Sequence, residues 1–204
     1  LPLLKLDPSN LYDKYVGESE HNFKRAMLTA ERLAPIVLWI DELEKAFAST
    51  NADADGGVSH RIFGTFLSWL QERKGDVFVV ATSNDVAKLP PEFIRKGRFD
   101  EIFFVDLPGE AAREEILRIH LRKRKQDPAA MAMPQLVAET AGFSGAEVEE
   151  SIVSAMYAAF SAGTALTTET LLAEIGATRP LSKTMPERLD ALRRWAAPRT
   201  VAAD

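Results

Sequence analysis

The stretch Ile36–Phe47, IVLWIDELEKAF, sets five apolar residues directly before two adjacent carboxylates, Asp41 and Glu42. Five apolar residues make a strand length, and a run without polar alternation predicts burial on both faces, as in a parallel sheet. A strand ending in Asp-Glu carries both carboxylates to the carboxyl edge of that sheet, where open α/β folds bind their ligands. Placed side by side, the two charges repel. A divalent cation removes that cost, with Asp41 holding Mg²⁺ through water and Glu42 left to orient and polarise an attacking water. Alternatively, Asp41 caps a helix over Leu43–Phe47 and Glu42 is simply solvated, and the dipeptide alone does not choose between the two.

Outward from this stretch the same pattern recurs. Leu1–Leu6, Val77–Thr82 (VFVVAT) and Ile102–Val105 (IFFV) are further short apolar runs. Between them, Phe23, Ala26, Met27, Ala30 and Leu33 fall on one helical face after Ser19, and Ile62, Phe63, Phe66, Leu67 and Leu70 on another. Strand and helix alternate, so the first part is an α/β core with a parallel sheet, expected over residues 1–108. After Asp106–Gly109 (DLPG) the pattern becomes helical only, which predicts a small all-α domain over 109–178. Its first helix, EAAREEILRIHLRKRK, places Ile116, Ile119 and His120 near one face and ends in basic residues that suit the helix dipole. Further helices are expected over Pro134–Ala141, from Ser144 through Ser161, and after Thr168. Pro180, Pro186 and Pro198 bracket a last amphipathic helix with Leu189, Leu192 and Trp195 on its apolar face, within a C-terminal segment 179–204 whose tail PRTVAAD reads as loose.

Composition narrows the function classes. The chain has 204 residues, 46% hydrophobic and 27% charged, enough for one substantial core plus a small appended domain. A net charge of −5 gives no electrostatic reason to expect nucleic acid or an anionic membrane as partner. The absence of cysteine excludes disulfides and thiolate metal sites, and His21, His60 and His120 are too scattered for a metal cluster. No apolar run approaches bilayer length and no signal-peptide layout opens the chain, so a cytoplasmic location is expected. The opening LPLLKLD lacks a Met and begins mid-pattern, as expected of a piece of a longer protein.

Two more motifs fall at strand ends. VFVVATSND carries Ser83, Asn84 and Asp85 to the same edge as Asp41, where an amide can hydrogen-bond a phosphate oxygen and a water, although a turn would look similar. In FIRKGRFD, Arg95 and Arg98 flank Gly97 just before the last apolar run, and two guanidiniums three residues apart can grip phosphate; a solvated basic turn is the alternative.

This order of parts, apolar strand plus DE, strand plus SN, RKGRFD, then a helical bundle containing GFSGAEVEE, resembles an AAA+ ATPase of the AAA clade. APIVLWIDELEKAF, RIFGTFLSWLQE and RKGRFDEIFFVDLP are similar to the Ycf46 group of bacterial and plastid proteins, and the resemblance covers nearly all of the chain. It implies a P-loop-NTPase-like AAA+ core and a helical lid, with Asp41 and Glu42 as the Walker B pair, Asn84 as sensor 1, and ATP with Mg²⁺ as cofactors. Arg95 and Arg98 would be arginine fingers reaching a neighbouring subunit's nucleotide, which makes a homo-oligomeric ring, expected to be a hexamer, part of the active site. His120 falls where relatives place a histidine near the nucleotide sugar, with lid packing as the alternative. Gly145 and Ala146 match the lid segment that approaches the adenine; read alone, they open a helix that Ser144 caps in a capping box with Glu147. KYVGESE (Lys14–Glu20) resembles the first pore loop of polypeptide-threading relatives, with Tyr15, Val16 and Gly17 as the grip; a surface loop is the alternative. The Gly/Asp-rich Ser49–His60 segment reads as a loop that lines a pore or merely connects.

One expected part is missing. None of the eleven glycines is followed by lysine, so these residues hold no G-x-x-x-x-G-K-[ST] phosphate loop. By the family layout that loop and its strand precede Leu1 and sit mid-sheet, so the chain alone is expected to hydrolyse no ATP. The implied function is a macromolecular remodelling ATPase. A nucleotide-sensing scaffold that does not hydrolyse and a structural ring module are the alternatives.

Overall fold

The computed structural model describes residues 1–7, 18–47, 58–73, 75–95 and 97–203, apart from the side chains of 18–20, 46–47 and 58–60. Tyr15, Val16 and Gly17, and most of the Ser49–His60 loop, lie outside the described residues. The chain divides into two compact units, Leu1–Asp100 and Glu101–Asp204.

In the first unit, β1 (Leu3–Leu6), β2 (Ile36–Ile40) and β3 (Val77–Ala81) form a parallel sheet in that order, with Ile40 level with Leu6 and Ala81. Around it run α1 (Glu18–Arg32), α2 (Leu43–Phe47) and α3 (Val58–Glu72). Alternation along β2 turns Ile36, Leu38 and Ile40 to one face, where they pack with Phe23, Met27 and Ala30 of α1 and Ile62, Phe66 and Leu70 of α3. Phe23 meets Phe66 edge-on at 5.5 Å between ring centroids. Both helices therefore cover the same side. The expectation that the apolar runs are buried on both faces fails at β3, where Phe78 is 66% exposed and Val80 40%, because alternation sends them to the side opposite that core. Leu33 is likewise exposed, lying just past the end of α1.

In the second unit, β4 (Phe103–Phe104) is followed by α4 (Glu110–Lys123), α5 (Met133–Glu139), α6 (Gly145–Ala162), α7 (Thr168–Ala177), the short α8 (Leu181–Thr184), α9 (Pro186–Ala196) and β5 (Val201–Ala202). The expected tail is not loose. Val201 N–H donates to Ile102 O at 2.9 Å and Ala203 N–H to Phe104 O at 3.1 Å, so the IFFV run pairs with the C-terminal residues in a separate two-stranded sheet. Arg193 of α9 grips Asp106 just beyond β4, Nε to Oδ2 at 2.8 Å and Nη2 to Oδ1 at 2.9 Å. That guanidinium holds the Asp106 carboxyl below its usual range.

The inward stripe of α4 also differs from expectation. Leu117 and Leu121, one turn apart, are buried against Leu136, Val148, Ile152 and Leu171, while Ile119 is 49% exposed. The period-3.6 face centres on Leu117 rather than on Ile119.

The Ser144 cap forms as read from the sequence, with both bonds of the capping box present. Glu147 Oε2 accepts from Ser144 N–H at 2.7 Å and Ser144 Oγ accepts from Glu147 N–H at 3.3 Å, while Glu147 Oε1 takes the Leu181 N–H at 2.6 Å. Glu147 thus ties α6 to α8 as well as capping. Ser144→Ala is expected to cost about 1 kcal/mol of unfolding free energy. Glu147→Ala, which also strands the Leu181 N–H, should cost about 2 kcal/mol. Urea unfolding of the two variants checks the order, and equal losses would show that the α8 tie contributes nothing.

Candidate functional site

The carboxyl ends of β2 and β3 stand level, and the backbone knits them just past the strands. Thr82 N–H donates to Ile40 O at 3.0 Å, and Leu43 N–H donates to Thr82 O at 2.8 Å. This register places Thr82 against the Asp-Glu pair. Thr82 Oγ1 donates to Asp41 Oδ1 at 2.7 Å and accepts from Glu42 N–H at 3.0 Å. Lys5, opposite Trp39 in the β1–β2 ladder, reaches Asp41 Oδ2 at 3.0 Å and lies 4.3 Å from the Trp39 ring centre. The Thr82 bond first, and Lys5 second, hold the Asp41 carboxyl below its ordinary value.

Glu42 turns the chain with φ at 52°, in the left-handed region that a glutamate seldom occupies. Its Oε1 accepts from Asn84 Nδ2 at 3.1 Å and its Oε2 from Lys45 Nζ at 2.5 Å. Asp41, Glu42 and Asn84 therefore converge at one sheet edge. The repulsion posed by two adjacent carboxylates is met by a separate lysine for each. Both pairs are solvent-exposed and screened, so they leave the carboxylates open to a stronger cation.

The donor set suits Mg²⁺. No group of three or more metal-ligating side chains gathers among the described residues. Mg²⁺ keeps several waters and takes one or two carboxylates plus phosphate oxygens rather than an all-protein cage, and a single accessible Asp41 fits that demand.

Arg95 and Arg98 lie elsewhere. Arg98 lines a hollow of about 750 Å³ together with Leu1, Pro35, Asp76 and Val77, residues at the amino ends of the strands. The segment is anchored by Phe93, which is buried and packs its ring 6.3 Å from that of Phe99. Arg98 Nη1 is buried without a hydrogen-bond partner among the described residues. Arg95 is exposed. β3, five residues or about 16 Å long at ~3.3 Å per residue, runs from this hollow at its amino end to the Glu42 edge at its carboxyl end.

His120, Gly145 and Ala146 belong to the second unit, on the seam between α4 and α6. His120 Nδ1 lies 3.2 Å from Glu149 Oε1 and 3.2 Å from Arg124 Nη1, and Arg124 Nη2 donates to the same Glu149 oxygen at 2.7 Å. Arg124 leads the lowering of the Glu149 carboxyl pKa. One turn from His120, Ile116 faces Gly145, where an added Cβ would meet Ile116 Cδ1 at an ordinary 3.6 Å. Packing inside this unit therefore does not demand a glycine at 145. Ala146 is exposed.

Lys5, Thr82, Glu44 and Lys45 complete the edge and were not singled out by the sequence. Lys45, three residues past Glu42 on a helix, and Thr82, two before Asn84, had legible spacing. Lys5 is visible only once the register sets it two residues before the level of Asp41. Glu44 resembles any acidic residue in a first helical turn, yet it is buried and bonds the Asn84 backbone.

The profile of the ATPase family associated with various cellular activities (AAA) matches residues 1–107, the segment that builds this edge. The chain belongs to the AAA family. This AAA chain is 45% identical over 197 residues to the AAA domain-containing protein ycf46 of Guillardia theta, covering 96% of its own length and 39% of that protein. The same protein of Pyropia yezoensis matches at 45% identity, with 96% and 40% covered. A proteasome-activating nucleotidase of Aeropyrum pernix is 34% identical over 165 residues, 78% of this chain and 40% of that protein. The AAA chain thus spans less than half the length of these relatives. It is Ycf46-like. Among the described residues, no helix is long and apolar enough to cross a membrane.

Proposed function

We propose that the full-length protein containing this chain is an Mg²⁺-dependent ATPase that couples hydrolysis of ATP to remodelling of a macromolecular partner. The observation that carries the reading is the 3.1 Å bond from Asn84 Nδ2 to Glu42 Oε1 at the carboxyl edge of the sheet. It fixes a carboxylate beside an amide, one group able to polarise a water and the other to orient it against a phosphate. Asp41 would hold Mg²⁺ through water, and the ion would supply charge to neutralise the phosphate oxygens. His120, Gly145 and Ala146 serve the nucleoside side from the lid, with residues 1–108 as the core, 109–178 as the lid and 179–204 as the C-terminal segment.

Arg98 cannot span its own sheet to reach Glu42, which favours action on a neighbouring subunit's nucleotide and hence a homo-oligomeric ring, a hexamer on the family pattern. Tyr15, Val16 and Gly17 are proposed as the contact with a polypeptide substrate. The location proposed is the cytoplasm. Since the 204 residues contain no phosphate loop, turnover requires that loop from outside them, and this chain mixed with ATP and Mg²⁺ is expected to release no phosphate above the blank.

The test is ATP turnover by the full-length protein with Asn84→Ala. Loss of one fixed hydrogen-bond donor at the reacting groups should lower kcat about tenfold to a hundredfold. The affinity for ATP should hold. Unchanged kcat would remove Asn84 from the site and with it the observation on which this reading stands.

A further inference from the structure

Glu44 presents a buried carboxylate that the proposed chemistry does not use. It is 5% exposed, in the first turn of α2, and its Oε1 accepts the Asn84 backbone N–H at 3.0 Å. Its Oε2 is buried with no hydrogen-bond partner among the described residues, and so is the Oγ of Ser83, the residue before Asn84. A carboxylate removed from water with one oxygen unbonded is a poor choice for stability, and an apolar side chain of similar size would serve better. Under-satisfied polar atoms on two segments that a hydrogen bond joins, Glu44 on α2 and Ser83 beside Asn84, are the pattern expected where geometry, not stability, sets the residue.

Each neighbouring bond bears on the same point. Asn84 receives Glu44 at its backbone and delivers its side-chain amide to Glu42. Glu42 is meanwhile held at its own N–H by Thr82 Oγ1, and its carbonyl accepts from Lys45 N–H at 2.8 Å. Glu44 thus adds a tie from the Asn84 backbone to α2, beside the Leu43 N–H bond to Thr82 O. We infer that Glu44 is a positioning residue: its buried carboxylate anchors the Asn84 backbone to α2, so that the Asn84 amide is held against Glu42. The inference deepens the ATPase reading and rests on it for its functional consequence, whereas the anchoring itself can be read without turnover.

The experiment compares Glu44→Met, which keeps bulk and removes the acceptor, with Glu44→Gln, which keeps an acceptor oxygen. In the 204-residue chain, Asn84 N–H hydrogen exchange followed by NMR should be at least about tenfold faster in Glu44→Met and within about threefold of wild type in Glu44→Gln. The unfolding midpoint of Glu44→Met should not fall, since the buried charge has gone. Independently, the Asn84 amide proton should move upfield in Glu44→Gln, because a neutral acceptor replaces a charged one. That signal decides the matter even where the methionine variant does not fold. Unchanged exchange in a folded Glu44→Met variant, or an unmoved amide proton in Glu44→Gln, would overturn the anchoring role.

In the full-length protein, Glu44→Met should lower kcat about tenfold with KM for ATP within about twofold, and Glu44→Gln should recover most of it. If Glu42→Gln leaves turnover intact while the Asn84 exchange result holds, the catalytic role of Glu42 fails and the anchor stands. If turnover responds to Glu42 but Asn84 exchange ignores Glu44, the anchor fails alone.

Discussion

In the full-length protein, Glu42→Gln is expected to lower ATP turnover about a hundredfold to ten-thousandfold, the range lost when a positioned general base is removed. The substitution is close to isosteric. The introduced side-chain amide keeps an oxygen for Asn84 Nδ2, the bond seen at 3.1 Å to Oε1, and the backbone bonds to Thr82 and Lys45 stay as they are. What disappears is the negative charge and the pairing of Oε2 with Lys45 Nζ. Because that pair is solvent-exposed, its loss should leave folding nearly unchanged, so a fall in rate cannot be assigned to unfolding. Nucleotide should still bind, trapped without hydrolysis, and a fluorescent ATP analogue would report affinity near wild type beside the lost rate. Turnover within a factor of about three of wild type would remove Glu42 from the chemistry. A rate drop matched by an equal loss of affinity would mean that Glu42 supports binding rather than the step itself.

The left-handed backbone at Glu42 bears on the same prediction. A glutamate at φ 52° holds a conformation that disfavours side chains, and the bonds from its N–H to Thr82 Oγ1 and from Lys45 N–H to its carbonyl keep it there. Strain of this kind fixes the direction of the carboxylate before any ligand arrives. The sequence carried the residue but not this feature, since no local rule predicts a positive φ at an acidic position inside a strand-to-helix turn.

Legibility elsewhere follows from how local the cause is. The IVLWI strand, the Ile62–Leu70 helical face and the Ser144–Glu147 capping box each arise within a dozen residues, and each stands where the pattern places it. The convergence of Asp41, Glu42 and Asn84 was readable because two strand ends in a parallel sheet must share an edge. Long-range register was not readable. Nothing in PRTVAAD says that Val201 will pair with Phe103, since a two-residue strand has no periodicity to detect. The outer face of β3 misled for a related reason: an apolar run predicts what a strand wants covered, not which helices will cover it. Glu44 was hidden by its type, because burial of an acidic residue contradicts the rule by which acidic residues are read as surface.

Arg98→Ala should cost about a thousandfold or more in kcat, as when a transition-state arginine is withdrawn from phosphoryl transfer. Location makes this prediction specific. The hollow beside Leu1, Asp76 and Val77 is at the amino end of the sheet, whereas Glu42 closes the carboxyl end. A guanidinium in that place cannot serve its own chain's edge, yet its buried Nη1 has no partner among the described residues. Two dead variants should therefore rescue each other. In a mixture of Arg98→Ala and Glu42→Gln subunits, an Arg98→Ala subunit keeps an intact Glu42, and a Glu42→Gln neighbour supplies the missing guanidinium. Turnover of the mixture should exceed the sum of the two separate variants at least about tenfold, given so large a loss in each. Arg95→Ala run in parallel would show which of the two arginines the neighbour uses. A mixture no more active than its parts, under conditions where the subunits demonstrably co-assemble, would confine Arg98 to its own chain and remove the reason to place a ring at the centre of the mechanism.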